Sequence, residues 1–188
     1  MQSDLKYDMA LTLFQKAIDA DSTNYYAYLG ESRSYYQLDK KDIALRKLIE
    51  LTRSEKIQRG VKFDLYRIIA EIYKTDYKDK QKAYDALMAS RKLNLQITKE
   101  VENLESTSFY SSSLNLWEES YLKRAYTFYE MDYDKEAKED FNSYEALLEK
   151  RHNNLEFYEE LLKYYKGMRY KQDALRILDK LIQETTQS

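Results

Sequence analysis

Five times along this chain an alanine is followed four residues later by a large apolar side chain. The pairs are Ala10 and Phe14, Ala44 and Leu48, Ala83 and Leu87, Ala137 and Phe141, and Ala174 and Leu178. Residues four apart lie one turn above each other on a helix, so each pair marks a single helical face. Three residues further on stand Ala17, Leu51, Ser90, Tyr144 and Leu181, which extend that face. Successive alanines are 34, 39, 54 and 37 residues apart. Self-similarity at that period is the mark of a repeat array, in which each unit is one supersecondary element.

A second pattern precedes the last four alanines. It reads Tyr28, Glu31-Ser32, Tyr35; Tyr66, Ile69-Ala70, Tyr73; Tyr121, Arg124-Ala125, Phe128; and Tyr158, Leu161-Leu162, Tyr165. Each is an aromatic, a central pair and another aromatic at helical spacing. The second residue of each pair lies 12, 13, 12 and 12 residues before its alanine. A nearly fixed offset ties the two helices into one recurring hairpin.

These residues resemble the tetratricopeptide repeat (TPR) family. Its unit of about 34 residues carries an aromatic, a Leu-Gly-like pair and a Tyr on the first helix, then Ala and a large residue on the second. Here Tyr stands where the family favours Trp, and Leu162 replaces the small residue in the last unit. Glu31 and Arg124 occupy places where the family's pattern is apolar, and the proline that often ends a unit is absent. The resemblance implies an all-α, right-handed superhelix of helix hairpins forming one repeat domain over residues 1–188. A half unit would occupy 4–20, full units about 25–54, 62–94, 115–150 and 154–185, and an insertion about 95–114.

The physics of such an array is direct. A single hairpin cannot bury both sides of its apolar face, so neighbours stack and share a core. Ala44, Ala70, Ala125 and Ala137 are expected at the closest helix crossings, and Tyr28, Tyr35, Tyr66, Tyr73 and Tyr165 between units. Helices are predicted over 4–20, 25–38, 41–54, 62–75, 80–94, 115–131, 134–150, 154–166 and 170–185. The Asp and Asn of the intervening turns are expected to cap the following helices. The half unit leaves an apolar face uncovered. The expectation is that the chain is a fragment of a longer protein, or that a partner or second copy covers that face. The stretch Ser106-Thr107-Ser108-Phe109-Tyr110-Ser111-Ser112-Ser113 reads as a solvated loop in the insertion, with a binding loop carrying Phe109 and Tyr110 as the alternative.

Composition narrows the function. Thirty-one Lys and Arg stand against 33 Asp and Glu, for a net charge of −2. That balance gives no basic face for nucleic acid. No apolar run is long enough to cross a bilayer and no signal segment opens the chain, so it reads as soluble, without direct membrane insertion. A cytoplasmic setting is expected, with the bacterial envelope or periplasm as the alternative if a signal segment has been removed. With no Pro, no Cys and three Gly, turn-rich β folds, disulfides and thiolate metal sites are excluded. Tyr occurs 20 times, which asks for a packing or recognition reason.

No catalytic, cofactor or metal site is legible. The one histidine, His152, has no ligand-spaced partners. Glu118-Glu119 and Glu159-Glu160 are adjacent on predicted helices, so their carboxylates diverge by about 100°. The expectation is a non-enzymatic scaffold holding a protein or peptide. Family geometry turns the first helix of each unit to a concave side. It places Tyr26, Leu29, Arg33 and Tyr36 there, then Arg67, Glu71 and Lys74, then Leu122, Tyr126 and Tyr129, then Glu159, Lys163 and Lys166. Of these, Tyr26, Arg33, Tyr36, Arg67, Lys74, Tyr126, Tyr129 and Lys163 are the expected partner contacts, because Tyr and Arg bring large area with a polar tip. The Lys-Asn spacing of a chaperone-tail clamp is absent from Leu29–Arg33, Arg67–Glu71 and Leu122–Tyr126. A ligand-sensing repeat domain of a larger regulator is the alternative, but such a groove usually needs Asn, and this set has none. Self-association through the uncovered half unit is a further expectation.

Overall fold

The computed structural model describes residues 2–102, 113–148 and 155–187. Among these residues the regular structure is entirely α-helical. The chain forms two compact units, residues 1–108 and 109–188. The first holds α1 (Gln2–Ala20), α2 (Tyr25–Gln37), α3 (Lys41–Arg53), α4 (Arg59–Thr75) and α5 (Lys80–Glu102), each packed on the next. The second holds α6 (Ser113–Glu130), α7 (Asp134–Leu148), α8 (Leu155–Gly167) and α9 (Lys171–Gln187). There α6 packs on α7 and α8 on α9, while α6 also touches α8.

The helices begin and end within a few residues of the predicted positions, with one exception. Helix α5 was expected to end at residue 94, yet it runs on to Glu102, through what read as the start of an insertion. The reason is local: residues 95–102 contain no Gly or Pro to stop a helix, and buried Asn94 is built into the helix, its carbonyl accepting from the Thr98 hydroxyl at 2.9 Å. Of the serine-rich stretch, residues 106–112, with Phe109 and Tyr110, lie outside the described residues, and Ser113 begins α6.

The alanines behave as the pattern requires. Ala44, Ala70, Ala83, Ala125 and Ala137 are wholly buried, because a methyl group is what two crossing helices leave room for. Phe14 of α1 presses so closely on α2 that a Cβ added at Gly30 would lie 2.3 Å from its ring. The last unit departs from the pattern: Leu178 is 39 % exposed, while the neighbouring Ile177 is buried. Leu175, Leu178 and Ile182 form an exposed apolar stripe on α9, and Leu5, Met9 and Leu13 form another on α1.

Each hairpin turns through the same backbone device. Asp39, Lys78, Asp132 and Arg169 have φ of 56°, 53°, 62° and 59°, and each stands five residues before its repeat alanine. After three of them the chain folds back with an amide donating to the carbonyl five residues earlier: Lys40 to Tyr35 at 2.9 Å, Tyr133 to Phe128 at 2.9 Å, and Tyr170 to Tyr165 at 3.0 Å. This is the left-handed helix-ending motif that glycine usually fills. Asp39 and Asp132 therefore form the turn itself, and the N-cap position of α3 is Lys40, without a side-chain cap bond. Caps are supplied elsewhere, by Asn24, which accepts from the Ala27 amide at 3.1 Å, and by Asp79, which accepts from the Lys82 amide at 2.9 Å.

Glu31 and Arg124, which break the family pattern, are both buried. Each finds its counter-charge sixteen residues on, across its own hairpin. Lys47 Nζ lies 2.9 Å from Glu31, and Arg124 clasps Asp140 through Nε at 2.7 Å and Nη2 at 2.8 Å. Lys47 and Asp140 occupy one repeat position, three residues past the alanine. In the other two hairpins the matching residues are Ile69 with Ala86 and Leu161 with Ile177, all buried and apolar. The same two positions are thus filled by acid and base, base and acid, or two buried apolar groups.

The tyrosines are less deeply placed than expected. Of the five predicted as core, only Tyr165 is fully buried, while Tyr28, Tyr35, Tyr66 and Tyr73 are half-buried. Partial burial suits an amphipathic side chain, and the Tyr28 hydroxyl donates to the Ser22 carbonyl at 3.4 Å. Lysines cover some of the open faces: Lys47 Nζ sits 5.5 Å from the Tyr35 ring centre and Lys82 Nζ 5.4 Å from that of Tyr73. Other tyrosines tie one hairpin to the next. Tyr77 donates to Asp42, Tyr170 to Asp134 at 3.2 Å, and Tyr36 to Asp76 at 2.7 Å.

Candidate partner-binding site

Within the first unit, the first helices of two consecutive hairpins, α2 and α4, border a cleft of about 210 Å³. Its floor is apolar, from Leu29, Ala44, Leu48, Ile68 and Ile72. Arg33, Tyr36, Arg67 and Glu71 also line it, so with Leu29 five residues predicted to face the concave side meet at one depression.

The charges around it are unevenly engaged. Arg67 Nε reaches Asp64 at 3.4 Å, and Lys74 Nζ holds Glu71 at 2.9 Å. Arg33 is exposed and has no carboxylate partner among the described residues. The Tyr36 hydroxyl is committed to Asp76, a bond that raises its pKa, and Lys41 Nζ holds the same carboxylate at 2.7 Å. The hydrogen bond from Lys41, against the opposing effect of burial, keeps Asp76 below the ordinary carboxylate value. Tyr26 projects from the start of α2 with 77 % of its surface exposed, its ring edge-on to Tyr25 at 5.4 Å.

In the second unit, Tyr126 of α6 is 40 % exposed and meets Tyr164 of α8 edge-on at 6.1 Å. Tyr129 meets Tyr170 at 5.7 Å. Lys163, Lys166 and Glu159 are exposed along α8. Leu122, which was expected on the open side, is instead 1 % exposed: it faces the core, because apolar side chains one helical turn apart share the buried face with Arg124-Ala125. A concavity that the repeat pattern did not single out, about 420 Å³, lies beside Lys166, Arg169, Lys171 and Leu175 at the α8–α9 turn.

Among the described residues no cluster of three or more His, Cys, Asp or Glu is placed to hold a metal ion, and no helix is long and apolar enough to cross a membrane. His152 lies outside the described residues.

Taken together, the buried alanine positions, the repeated turn and the paired hairpins define a TPR-like helical repeat fold. No family model matches the chain. No curated protein matches it either. Among solved structures the chain is similar to one described as "Crystal structure of MamA", with 17 % identity and a TM-score of 0.49, over 96 % of this chain and 90 % of that one.

Proposed function

We propose that this chain is a TPR-family scaffold without catalytic function, which holds a protein or peptide partner against the first helices of its hairpins. The observation that carries the reading is the α2–α4 cleft, where an apolar floor meets Arg33, Tyr36 and Arg67. Large aromatic and guanidinium groups around an apolar centre are the usual composition of interface anchors. Tyr26, Tyr126, Tyr129, Lys74 and Lys163 supply further contacts on the first helices of their own hairpins. The exposed stripe Leu5, Met9 and Leu13 supports self-association through α1. Affinity capture from native lysate with the intact chain and with a Tyr36/Tyr126/Tyr129 triple Ala variant tests the main reading. The variant, shown folded by circular dichroism, should lose the partner. Equal recovery by both proteins would place the binding surface elsewhere.

A further inference from the structure

Two buried side-chain hydroxyls have no hydrogen-bond partner among the described residues: Ser32 Oγ and Tyr25 Oη. Both belong to α2. Ser32 is 2 % exposed and lines the cleft between α2 and α4. Tyr25 Oη lies within the electrostatic reach of Arg33 and Arg67 on the cleft wall and of Asp64. Burial pushes its pKa up to about 12, with Asp64 adding to the rise and the two arginines opposing it, so it remains a protonated donor. A buried hydroxyl left without a partner is uncommon in a native fold, and the one on Ser32 lies in the lining of this cleft.

The unfilled bonding capacity at this cleft is of one kind. Arg33 is a donor without a carboxylate, and Ser32 offers an O–H. The acceptors nearby are already engaged, Glu71 by Lys74 and Asp64 by Arg67. An occupant must therefore bring an acceptor, and beside a guanidinium the acceptor is an anion. The floor asks for an apolar group as well. A volume of about 210 Å³ falls below the 300–1,000 Å³ typical of small-molecule and cofactor sites and suits one large side chain. The lining runs from Leu29 to Tyr36 on α2 and from Arg67 to Thr75 on α4, which at 1.5 Å per residue is about 10–12 Å. About three residues of extended chain span that length, so the cleft is matched to a short segment of a partner chain.

We infer that the α2–α4 cleft recognises a short segment of a protein partner in which a large apolar side chain stands next to an Asp or Glu. The apolar side chain rests on Leu29, Leu48, Ile68 and Ile72. The carboxylate is held by Arg33, with the Ser32 hydroxyl donating to it or to the adjacent peptide carbonyl. This rests on the scaffold reading above and gives it a partner chemistry.

The test is to pan a library of random linear twelve-residue peptides, displayed away from their C-termini, against the intact chain and against its Arg33→Glu variant. The expected result is enrichment of an apolar residue beside Asp or Glu on the intact chain, lost on Arg33→Glu. An enriched peptide, synthesised with an amidated C-terminus, should lose about tenfold or more in affinity to Arg33→Glu, the size of a charge-assisted hydrogen bond. Ser32→Ala should weaken the same peptide while leaving the melting temperature unchanged or raised, since it removes an unpaired buried hydroxyl. Three outcomes would overturn the inference: no such motif, a motif that survives Arg33→Glu, or peptides that bind only with a free C-terminal carboxylate. If peptides of another chemistry are enriched and then lost in the Tyr36/Tyr126/Tyr129 variant, the scaffold reading stands and the apolar–acidic specificity falls.

Discussion

Tyr36 donates its hydroxyl to Asp76 at 2.7 Å, from the last turn of α2 to the end of α4, one hairpin along. Lys41 closes the same carboxylate from α3. Tyr36 is therefore both a wall of the cleft and a tie between repeats, and its two roles separate by substitution. Tyr36→Phe keeps the ring and removes the bond. It should cost at most about 1 kcal/mol in chemical denaturation, with partner binding largely retained. A loss of binding equal to that of Tyr36→Ala would show that the hydroxyl, not the ring, is the contact.

Acid should loosen the second unit through Glu145. Burial pushes this carboxyl up, but hydrogen bonds from Arg176 and Lys180 outweigh it and hold the group below its ordinary value of 4.5. A depressed carboxylate contributes stability that is present above 4.5 and is lost as pH falls through the lower folded value. Melting temperature should therefore fall below about pH 4.5, and Glu145→Gln should flatten that limb while lowering stability at neutral pH. Asp76, depressed chiefly by Lys41, adds to the same acid limb in the first unit.

Arg124 and Asp140 offer the sharpest energetic contrast. Arg124→Leu leaves a buried carboxylate without its guanidinium and should cost about 3–5 kcal/mol. The double variant Arg124→Leu/Asp140→Leu copies Leu161 and Ile177 of the last hairpin and should recover most of that loss. Urea unfolding of the three proteins measures both. A double variant as unstable as the single would mean that this hairpin cannot accept an apolar pair.

The left-handed turns predict gains. A non-glycine residue in that conformation costs about 1 kcal/mol, partly offset by the extra freedom glycine has when unfolded. Lys78→Gly and Arg169→Gly should each raise stability by about 0.5 kcal/mol. Thermal melts showing a decrease would mean that the native side chain does more than tolerate its backbone.

Ala70 tests the repeat register. Ala70→Leu forces a larger group into a wholly buried helix crossing and should cost about 1–3 kcal/mol. An unchanged melting temperature would place Ala70 away from the crossing.

The alanine offsets were legible because a repeat writes its closest contacts at a fixed spacing, and Ala44, Ala70, Ala125 and Ala137 all lie where that spacing puts them. Other features were hidden for physical reasons. Glu31 and Arg124 looked like faults because each partner stands on the other helix, sixteen residues away. The turns at Asp39, Lys78, Asp132 and Arg169 carry no glycine to advertise their backbone. Leu122 is buried because one helix must serve both a groove and a core, and residue type alone does not divide the two faces. The cleft itself needs α2, α3 and α4 assembled, and the unpartnered Ser32 hydroxyl is visible only after that assembly.

The facing positions of the hairpins carry a consequence for how the chain finds its fold. Helices that share one pattern can mispair, and a chain of similar hairpins invites such errors while it collapses. Here α2 set against α7 would bring Glu31 to Asp140, and α6 set against α3 would bring Arg124 to Lys47. Each mistake places like charges face to face at a helix crossing where Glu31, Arg124 and Asp140 are buried, so their repulsion is only partly screened. With Leu161 or Ile69 in place of either partner, a buried charge would be left alone. The two ion pairs, opposite in polarity, act as addresses: α2 and α6 each match their own second helix and clash with that of the other charged hairpin.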